Sequence, residues 1–453
     1  MQAFFVLVFF PFFSHASDKI VVTATRSESA EVPFSIDRLD GDSWSRTGGN
    51  PEQYFGTIPG LSFSVSGAAG QTRSVLIRGA KAEHTLVLID GIPANDPLSP
   101  ARAFDFGQLP LSEVERIEIL KGPQSVLYGS DAMGGVVQLL SKKDGAARAR
   151  LEAGSYDSLN ASVSAMGFRA GYFETKGFSA ADAREGNSEK DGSQAWNLGG
   201  SKDFPLNNSI LMRLNAQYQN SKTDTDRSGG LHGDSRNTYA THSQFFLREE
   251  NVILIPEDAE ISLSGSYSNH DREDNTNGND YYKANQWKVE TIGRQKNIGP
   301  HSLTLGAEYA EERGRSSQIV GGDHRFREGA IYLQDELTFE RAQMVAGGRI
   351  DLHNVSENAA TTRLGLAYWL IPKALRTRGS LGTGFKAPSL YQTYSNYGSN
   401  TLRPERSIGF EIGLDFTLED WSSEFTAFSN RFRDLVDFDA INSRYFNQSR
   451  AET

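Results

Sequence analysis

The segment "ERIEILKGPQSVLYGSDAMGGVVQLL", Glu115 to Leu140, combines two kinds of local structure. Its two ends alternate apolar and polar residues, a pattern typical of β-strands. Its middle is rich in turn residues, with Pro123 and four glycines. Glycine lets the backbone turn tightly and approach neighbouring chain where a side chain would clash. The segment therefore predicts two strands joined by a compact connector.

The sequence around this segment, up to about Gly145, predicts a small mixed α/β domain with its own core. The stretches "SVLIRGA" and "HTLVLIDGIP" have strand length and end in turn residues. The stretch "NPEQYFGTIPGL" predicts a short helix, because Asn50 can cap it and Pro51 suits its first position.

After Gly145 the sequence repeats strand-length alternation, as in "ILMRLNAQYQ" and "SIGFEIGLDFTL". In the second of these, Glu411 and Asp415 share one face while the other face is wholly apolar. A charge facing lipid costs about 2–4 kcal/mol at mid-bilayer, so this separation suits a transmembrane β-barrel. A water-soluble sandwich gives the same alternation and is the alternative. The barrel is favoured by the number of strands, their length and the long polar loops between them. Aromatic residues late in the apolar stripes suit an interfacial girdle: Tyr218, Tyr267, Tyr309 and Phe416.

Composition narrows the function classes. The chain has 453 residues, a formal charge of −11 and no cysteine. The negative charge gives a nucleic-acid partner no support, and the absence of thiols excludes disulfides and thiolate metal sites. No apolar run after the first 16 residues approaches the length of a membrane-spanning helix. Residues 1–16 predict a signal peptide, with a buried N-terminal strand as the alternative.

Four segments in order carry a family resemblance: "IVVTATR" at Ile20 to Arg26, "SVLIRGAKAEHTLVLIDGIPANDP" at Ser74 to Pro97, the opening segment, and "GFKAPSLYQTYSNYGSNTLRPERSIGFEIGLDF" around Lys386. Together they resemble the TonB-dependent outer-membrane receptors, from about Ile20 to Thr453. The resemblance implies a 22-stranded antiparallel barrel whose lumen holds an N-terminal mixed α/β plug, in the outer membrane of a Gram-negative bacterium. It divides the chain into a signal peptide (1–16), a periplasmic arm (17–30), a plug (31–145) and a barrel (146–453).

The resemblance also implies active transport. Substrate binds outside the cell, and the arm then pairs as an added strand with TonB, which an inner-membrane complex energises by proton-motive force. Strand addition relies on main-chain hydrogen bonds, and β-branched residues favour the extended form that it needs. The expected TonB-binding residues are Ile20, Val21, Val22, Thr23, Ala24, Thr25 and Arg26.

The plug motifs supply a second set of expected site residues. We expect the charged residues on or beside the plug strands to contact charged, lumen-facing barrel residues, with ordinary surface charge as the alternative; they are Arg78, Glu115, Arg116, Glu118 and Lys121. The set consists of Arg78, Gly79, Asp90, Gly91, Arg116, Glu118, Lys121, Gly122, Pro123, Tyr128, Gly129, Gly134 and Gly135.

The substrate implied by the resemblance is cobalamin, because the early box and the short plug look most like the vitamin B12 transporters. A ferric-siderophore or haem receptor is the alternative within the family. No cofactor is expected, and no G-x-S-x-G, H-E-x-x-H or P-loop motif suggests an enzyme. Two acidic loops offer hard oxygen ligands for calcium, although a solvated loop would look the same. The candidate ligands are Asp182, Glu189, Asp191, Asp224, Asp226 and Asp234.

Barrel length departs from the family pattern. With about 20 residues per strand and connection, the sequence after residue 145 allows roughly 15 strands rather than 22. We therefore expect a C-terminally incomplete chain, with a smaller closed barrel as the alternative. Functions of another class, a passive channel or surface receptor and a non-transporting fragment, also stay open.

Overall fold

The computed structural model describes residues 32–41, 54–108, 114–143, 145, 147–179, 190–226, 238–256, 258–276, 278–418 and 421–453. The predicted signal peptide, the arm and the TonB-binding segment Ile20 to Arg26 lie outside these residues, as do Asn50 and Pro51. Of the predicted helix that they would begin, Tyr54 and Phe55 are described and are helical.

The N-terminal part of the chain is built on a mixed five-stranded sheet. Its strands are β1 (Ile36–Asp40), β4 (Thr85–Ile89), β5 (Ile92–Pro93), β6 (Val114–Lys121) and β7 (Gly135–Ser141), in the order β1-β6-β7-β4-β5. Strands β4 and β7 are parallel and the other pairs are antiparallel. A separate hairpin is formed by β2 (Leu61–Val65) and β3 (Arg73–Ile77). The short helices are α1 (Ser125–Tyr128) and two 3-10 turns (Ala82–His84 and Phe106–Gln108).

This domain has a core of its own, as predicted. Phe55, Ile77, Ile119 and Val137 are fully buried and belong to one apolar cluster. Burying each such side chain is worth about 1.5–3 kcal/mol, so the domain holds together through apolar packing as well as through its sheet.

The remainder of the chain forms one large antiparallel sheet. Its strands are β8 (Arg148–Gly154), β9 (Ser158–Ala165), β10 (Phe168–Thr175), β11 (Ser193–Asn207), β12 (Ile210–Asp224), β13 (Tyr239–Ile255), β14 (Ala259–Asp274), β15 (Asp280–Ile298), β16 (His301–Ser316), β17 (His324–Thr338), β18 (Ala342–His353), β19 (Ala359–Ile371), β20 (Leu375–Lys386), β21 (Glu405–Leu418), β22 (Trp421–Asp439) and β23 (Arg444–Glu452). A short helix, α2 (Leu390–Tyr394), lies between β20 and β21.

The sixteen strands are hydrogen-bonded in chain order from β8 to β23. From β10 onward, connections of two or three residues alternate with connections of four to eighteen residues, so one end of the sheet carries short turns and the other carries long loops. The strand number in the described residues is close to the roughly 15 predicted from length. The predicted domain boundary at residue 145 lies between β7 and β8.

Burial in this sheet is inverted relative to that of a water-soluble protein. In β21, Glu405 and Glu411 are buried, whereas Ile408, Phe410 and Ile412 are about half exposed. An apolar outer face with charges inside is the arrangement of a transmembrane barrel. The predicted barrel architecture is therefore confirmed, and the sandwich alternative is wrong.

Among the described residues, no helix has the length and apolar character needed to cross a bilayer.

The N-terminal domain lies inside the curve of the sheet, and it is called the plug below. Its residues contact strands around the wall: Gln108 reaches Ser221 of β12, and His84 reaches Glu405 of β21. Phe246 of β13 is fully buried in the apolar cluster of the plug. The plug thus fills the lumen, as predicted.

Candidate functional site at the contact of plug and barrel

The connector between β6 and β7, residues 122–134, lies against the barrel wall. Asp131 is held by two cations: Lys386 Nζ donates to its Oδ1 at 2.7 Å, and Arg102 Nε lies 2.9 Å from its Oδ2. All three side chains are buried. Burial alone would raise the pKa of Asp131, but Arg102 and Lys386 outweigh it and hold the pKa below the ordinary 3.8. Asp131 is therefore an ionised anchor between plug and wall.

Two serines of the connector bind the backbone next to Lys386. The amide of Phe385 donates to Ser125 Oγ at 3.3 Å, and the amide of Ala387 donates to Ser130 Oγ at 3.2 Å. Phe385 still pairs with β21 but lies beyond Gly382, the last residue of β20 that pairs with β19, and Ala387 lies beyond the end of the strand. The serines therefore satisfy amides at the frayed end of β20. The connector thus caps the end of a barrel strand.

Glycines of the connector let its backbone lie close to neighbouring residues, as the sequence predicted. A Cβ on Gly129, which has φ +72°, would lie 2.7 Å from Arg349 Nη2 of the wall. A Cβ on Gly134 would lie 2.9 Å from the Cβ of Ala80 within the plug. Real Cβ atoms do not approach other atoms so closely, so the connector could not pack here with larger residues.

Arg78 makes a second ionic contact with the wall. Its Nη1 donates to Glu411 Oε2 at 2.7 Å, and Arg378 Nη1 binds the other carboxylate oxygen at 3.0 Å. The amide of Ser35 also donates to this carboxylate, at 3.1 Å. Arg78 lies over the ring of Phe428, 4.6 Å from its centroid. For Arg78, the predicted contact with a charged, lumen-facing barrel residue is confirmed.

The other predicted charged residues make ion pairs inside the plug. Arg116 Nε lies 2.8 Å from Glu118 Oε1, and Lys121 Nζ lies 2.6 Å from Asp37 Oδ2. Since Asp37 belongs to β1 and Lys121 to β6, the second pair joins neighbouring plug strands. Both pairs stabilise the plug itself, and for Lys121 the partner differs from the wall residue that was expected.

Asp90 and Gly91 form the tight turn between β4 and β5. Both have positive φ, at +50° and +82°. Asp90 Oδ1 also accepts from the amide of Ser141 at 2.9 Å, which ties the turn to β7. These two motif residues therefore have a structural role in the plug.

The remaining motif residues shape the turns of the connector or pack it against the barrel wall. Gly122 has φ +83°, beyond the range that suits other residues. The ring of Pro123 packs against Gly409 of β21. A Cβ on Gly409 would lie 2.6 Å from this ring, so the contact requires glycine at that position. Tyr128 shares a buried cluster with Tyr332 of β17. Gly79 and Gly135 also have no room for a side chain without a shift of neighbouring atoms.

A cavity of about 460 Å³ lies between the plug and strands β12 to β17. It is lined by six basic and seven acidic side chains, among them Arg102 and Asp131. Some of its wall residues, such as Arg213 and Arg294, lie toward the short-turn end of their strands, whereas Glu328 lies near the long-loop end of β17. A cavity of this size and polarity has room and hydrogen-bond partners for water, so the buried anchor at Asp131 borders a space that water can enter.

Aromatic side chains gather at the long-loop end, above the plug. The ring of Tyr391 in α2 lies 6.3 Å from the rings of both Tyr282 and Tyr445, and Phe438 lies 5.1 Å from Tyr445. Arg272 stacks 4.1 Å above Tyr282. This aromatic cluster can bind the flat or apolar face of a ligand, and Arg272 can add a positive charge.

Two of the candidate calcium ligands lie on chain segments that are joined by a backbone hydrogen bond. The amide of Asp224 donates to the carbonyl of Gly192, the residue after Asp191, at 2.8 Å. Asp191 is 3% exposed. Carboxylates are the hard oxygen donors that calcium prefers, so these residue types fit the ion. Asp226 is also described, whereas Asp182, Glu189 and Asp234 lie outside the described residues. Calcium binding stays a prediction.

Several barrel-wall residues of the site were not predicted from the sequence. His84 Nε2 lies 2.9 Å from Glu405, and Arg363 Nη1 donates to Gln124 at 3.0 Å. Lys386 lies in a motif that sequence reading recognised, but its role was not identified. These residues could have been found from one sequence pattern, a charged residue that alternates with apolar residues along a strand, as Glu411 does. The pattern identifies a lumen-facing residue but does not identify the plug residue that it contacts.

Comparisons with known proteins agree with this architecture. The model of the TonB-dependent receptor plug domain matches residues 28–136, and the model of the TonB-dependent receptor-like β-barrel matches residues 140–453. The vitamin B12 transporter BtuB of Vibrio vulnificus (strain CMCP6) is 27% identical over 450 residues, which cover 93% of this chain and 71% of that protein.

Solved structures show the same fold. A mutant of the ferric enterobactin receptor PfeA from Pseudomonas aeruginosa superposes with a TM-score of 0.76 at 16% identity, over 96% of this chain and 78% of that one. The siderophore receptor PirA from Acinetobacter baumannii gives 0.71 at 17% identity, over 92% and 76%. The ferric yersiniabactin receptor FyuA from Yersinia pestis gives 0.70 at 15% identity, over 93% and 74%.

Proposed function

This chain belongs to the TonB-dependent receptors of the Gram-negative outer membrane, and from that premise we propose that it is an active transporter of cobalamin. Members of the family work with TonB and bind small nutrient chelates such as siderophores or cobalamin; they are receptors and transporters rather than enzymes. The long-loop end of the barrel faces the outside of the cell, and the short turns face the periplasm.

The observation that carries active transport is the anchor between Asp131 and Lys386 beside the polar cavity. The lumen is filled by the plug, so a ligand passes only when the plug moves. Breaking a buried ion pair is costly unless water reaches the separated charges. Because Arg102 and Asp131 also line the cavity, water is at hand when the anchor opens. External force on the plug can then open a path without unfolding an apolar core.

TonB is the proposed source of that force. Ile20 to Arg26 would pair with TonB as an added strand, and an inner-membrane complex would energise it. The first described residues of the plug touch the wall: Val32 packs with Val345, and Arg363 lies 3.7 Å over the ring of Phe34. Strand β1 follows at the edge of the plug sheet. A pull on the arm therefore reaches these contacts first and then separates β1 from β6.

Cobalamin is the proposed substrate because the curated relative that aligns with 93% of this chain is named a vitamin B12 transporter. The backbone hydrogen bond between Asp224 and Gly192, the residue after Asp191, is consistent with a calcium-supported ligand site. The aromatic cluster offers apolar area for a large flat ligand.

A ferric siderophore is the second candidate. Arg272 stacked on Tyr282 provides a cation within an aromatic surface, which suits an anionic aromatic chelate. The structures that superpose on this chain include siderophore receptors, although at 15–17% identity they establish the fold alone.

Ligand choice is tested with the purified protein in detergent. Cyanocobalamin and ferric enterobactin are titrated separately, once with calcium and once with a chelator. About 1 mM calcium is used, because this concentration reaches the dissociation constants of weak extracellular calcium sites. We expect cyanocobalamin to bind and calcium to tighten it. Binding of ferric enterobactin alone would assign the second candidate, and binding of neither would refute both substrates.

Energy coupling is tested by uptake in cells. A Val22→Pro variant should bind ligand as the parent does but lose uptake, because proline removes a main-chain donor from the added strand. Ser29→Pro, in the arm but outside the TonB-binding segment, is the matched control. Unchanged uptake with Val22→Pro would instead support a passive channel or surface receptor.

A further inference from the structure

Three side chains of the metal-ligating types meet where the plug touches the wall at the long-loop end of the barrel. Glu83 and His84 belong to the 3-10 turn that precedes β4, and Glu405 is the first residue of β21. Each offers one ligand atom, and these atoms lie within 4.8 Å of one another. The three residues, one set of ligands drawn from both plug and barrel, are called the Glu-His-Glu group below.

Burial leaves lone pairs of this group without hydrogen-bond donors. His84 and Glu405 are each 1% exposed, and His84 Nε2 lies 2.9 Å from Glu405 Oε2. Within the part of the chain that the structure describes, His84 Nδ1 and Glu405 Oε1 are buried and have no hydrogen-bond partner. Buried polar atoms without partners cost free energy. A cation at the group would be bound by such lone pairs and would offset this cost.

The donor types and their spacing fit a transition-metal ion. Neighbouring donors around an ion with bonds of about 2.1 Å lie about 3 Å apart when they are at right angles. The 2.9 Å between His84 Nε2 and Glu405 Oε2 matches this spacing, and a small shift of the Glu83 side chain completes the set. Imidazole suits zinc and its neighbours, whereas calcium and magnesium take oxygen donors.

The backbone holds two of the ligands firmly in place. The carbonyl of His84 accepts from the amide of Gly134 at 2.7 Å, and the His84 ring stacks on Phe432 with centroids 5.2 Å apart. Glu405 lies opposite Lys386 in the ladder of β20 and β21. Ligands that are already oriented lose little conformational freedom when an ion binds.

Nearby cations leave room for a metal ion. Lys386 is bound by Asp131 at 2.7 Å, so its charge is already balanced. Lys81 Nζ lies 3.7 Å from Glu83 Oε1, but this side chain is 36% exposed and can move into solvent.

A second set of three carboxylates shows the contrast. Glu308, Glu328 and Asp351 also lie close together, but Arg349 forms ion pairs with all three. An arginine therefore supplies the cation there. The Glu-His-Glu group has no guanidinium of this kind among the described residues, which makes it the better site for a metal.

We propose that Glu83, His84 and Glu405 bind a zinc ion that links the plug to the barrel wall. Because the ligands come from both parts, the complete site exists only while the plug is docked. An ion that binds the docked state alone stabilises that state by mass action. Zinc at this site therefore makes release of the plug harder, whichever substrate the protein transports.

The test uses the whole chain in detergent, first stripped of metal with a chelator that is then removed. Zinc is titrated by calorimetry with excess calcium present, since calcium fills sites made of oxygen donors alone. The variants are His84→Gln, which keeps a donor toward Glu405, and Glu405→Gln. His301→Gln is the matched control, because it removes a histidine that is 42% exposed at the start of β16.

We expect the parent and His301→Gln to bind one more zinc ion than His84→Gln and Glu405→Gln do. Zinc at about 100 times its dissociation constant should shift the equilibrium between docked and released plug about 100-fold toward the docked state. The urea concentration at which trypsin begins to cleave the plug reports this shift. The shift should be present in the parent and the control and absent from the two site variants.

Equal zinc binding by the parent, His84→Gln and Glu405→Gln would overturn the proposal, and so would bound zinc that leaves plug release unchanged. Magnesium with the same effect as zinc would contradict a site that needs imidazole. Heat-modifiable gel mobility verifies that each variant is folded. If neither site variant folds, the visible absorption of Co²⁺ added to the parent decides: a spectrum identical to that of the hydrated ion would refute the site.

Discussion

Lys386 and Asp131 are 255 residues apart in the chain, yet their side chains form a buried ion pair at 2.7 Å. Lys386 ends strand β20 of the barrel, and Asp131 belongs to the plug connector. The pair joins the plug to the barrel wall. Because neither side chain is open to water, its strength affects how readily the plug is released.

Replacing Lys386 by Met should loosen the plug. Removal of one partner from a buried ion pair costs about 3–5 kcal/mol, and Arg102 keeps the effect toward the lower end. The measurement is the urea concentration at which trypsin begins to cleave the plug. Lys386→Met/Asp131→Leu should cost less than the sum of the two single changes. Additive costs would show that the pair does not couple plug and wall.

Acid should weaken the plug through Asp131. Its pKa lies below 3.8 in the folded protein, so its contribution is complete above that ordinary value and is lost as the pH falls through the lowered one. Asp131→Asn should therefore lower the urea midpoint at pH 7 and have progressively less effect in stronger acid. A difference that is independent of pH would contradict the ionised anchor.

Glu83 should behave in the opposite way. Burial, with a further contribution from Glu405, raises its pKa above the ordinary 4.5 despite the attraction of His84. The folded protein therefore favours protonated Glu83, and this stability is complete below the ordinary pKa and lost as the pH rises through the raised one. Glu83→Gln should raise the urea midpoint at pH 7 and leave it unchanged at pH 4. A lower midpoint at pH 7 would refute the prediction.

Glu411 should matter more to the plug than Arg78 does. Arg78→Met leaves the carboxylate with Arg378 and the amide of Ser35, so we expect a cost of about 1–3 kcal/mol. Glu411→Gln leaves Arg78 and Arg378 facing each other without an anion and should cost more. The trypsin assay compares the two variants, and the reverse order would show that Arg78 acts mainly through another contact, such as Phe428.

Gly129→Ala should release the plug at lower urea. The new Cβ would lie 2.7 Å from Arg349 Nη2, and φ +72° suits alanine poorly. Backbone strain of this kind costs about 1–3 kcal/mol. Gly145→Ala is the control, because nothing lies within 4 Å of its Cβ. If both variants match the parent, the connector tolerates a side chain and the close approach is not required.

Tyr391→Ala should weaken ligand binding by about tenfold or more, because a buried aromatic contact is worth more than its area alone. Tyr368→Ala removes a tyrosine from the lipid-facing side of β19, where it is 42% exposed, and should leave affinity unchanged. Titration with the ligand identified above compares the two. Equal effects would place the ligand away from the aromatic cluster.

Some features of the site could be predicted from particular residues. The glycines of the connector predicted close packing, and the structure shows neighbouring atoms close to Gly129 and Gly134. Arg78 was expected to meet a charged wall residue and does so at Glu411. Arg116 and Lys121 carried the same signal but pair within the plug, because a charge on a strand does not identify which neighbouring layer supplies its partner.

The sequence by itself determined the kind of solvent that each face of the protein meets. Alternation with a period of two is a local property, so Glu411 and Ile412 could be assigned to opposite faces of one strand without knowledge of any other strand. The order of the motifs likewise identified a plug followed by a barrel. Only the tertiary structure decided which buried charges meet. Asp131 and Lys386, or His84 and Glu405, come together because the plug sits at one rotation and one height inside the barrel. That placement depends on packing around the whole wall at once, and no local stretch of sequence contains it.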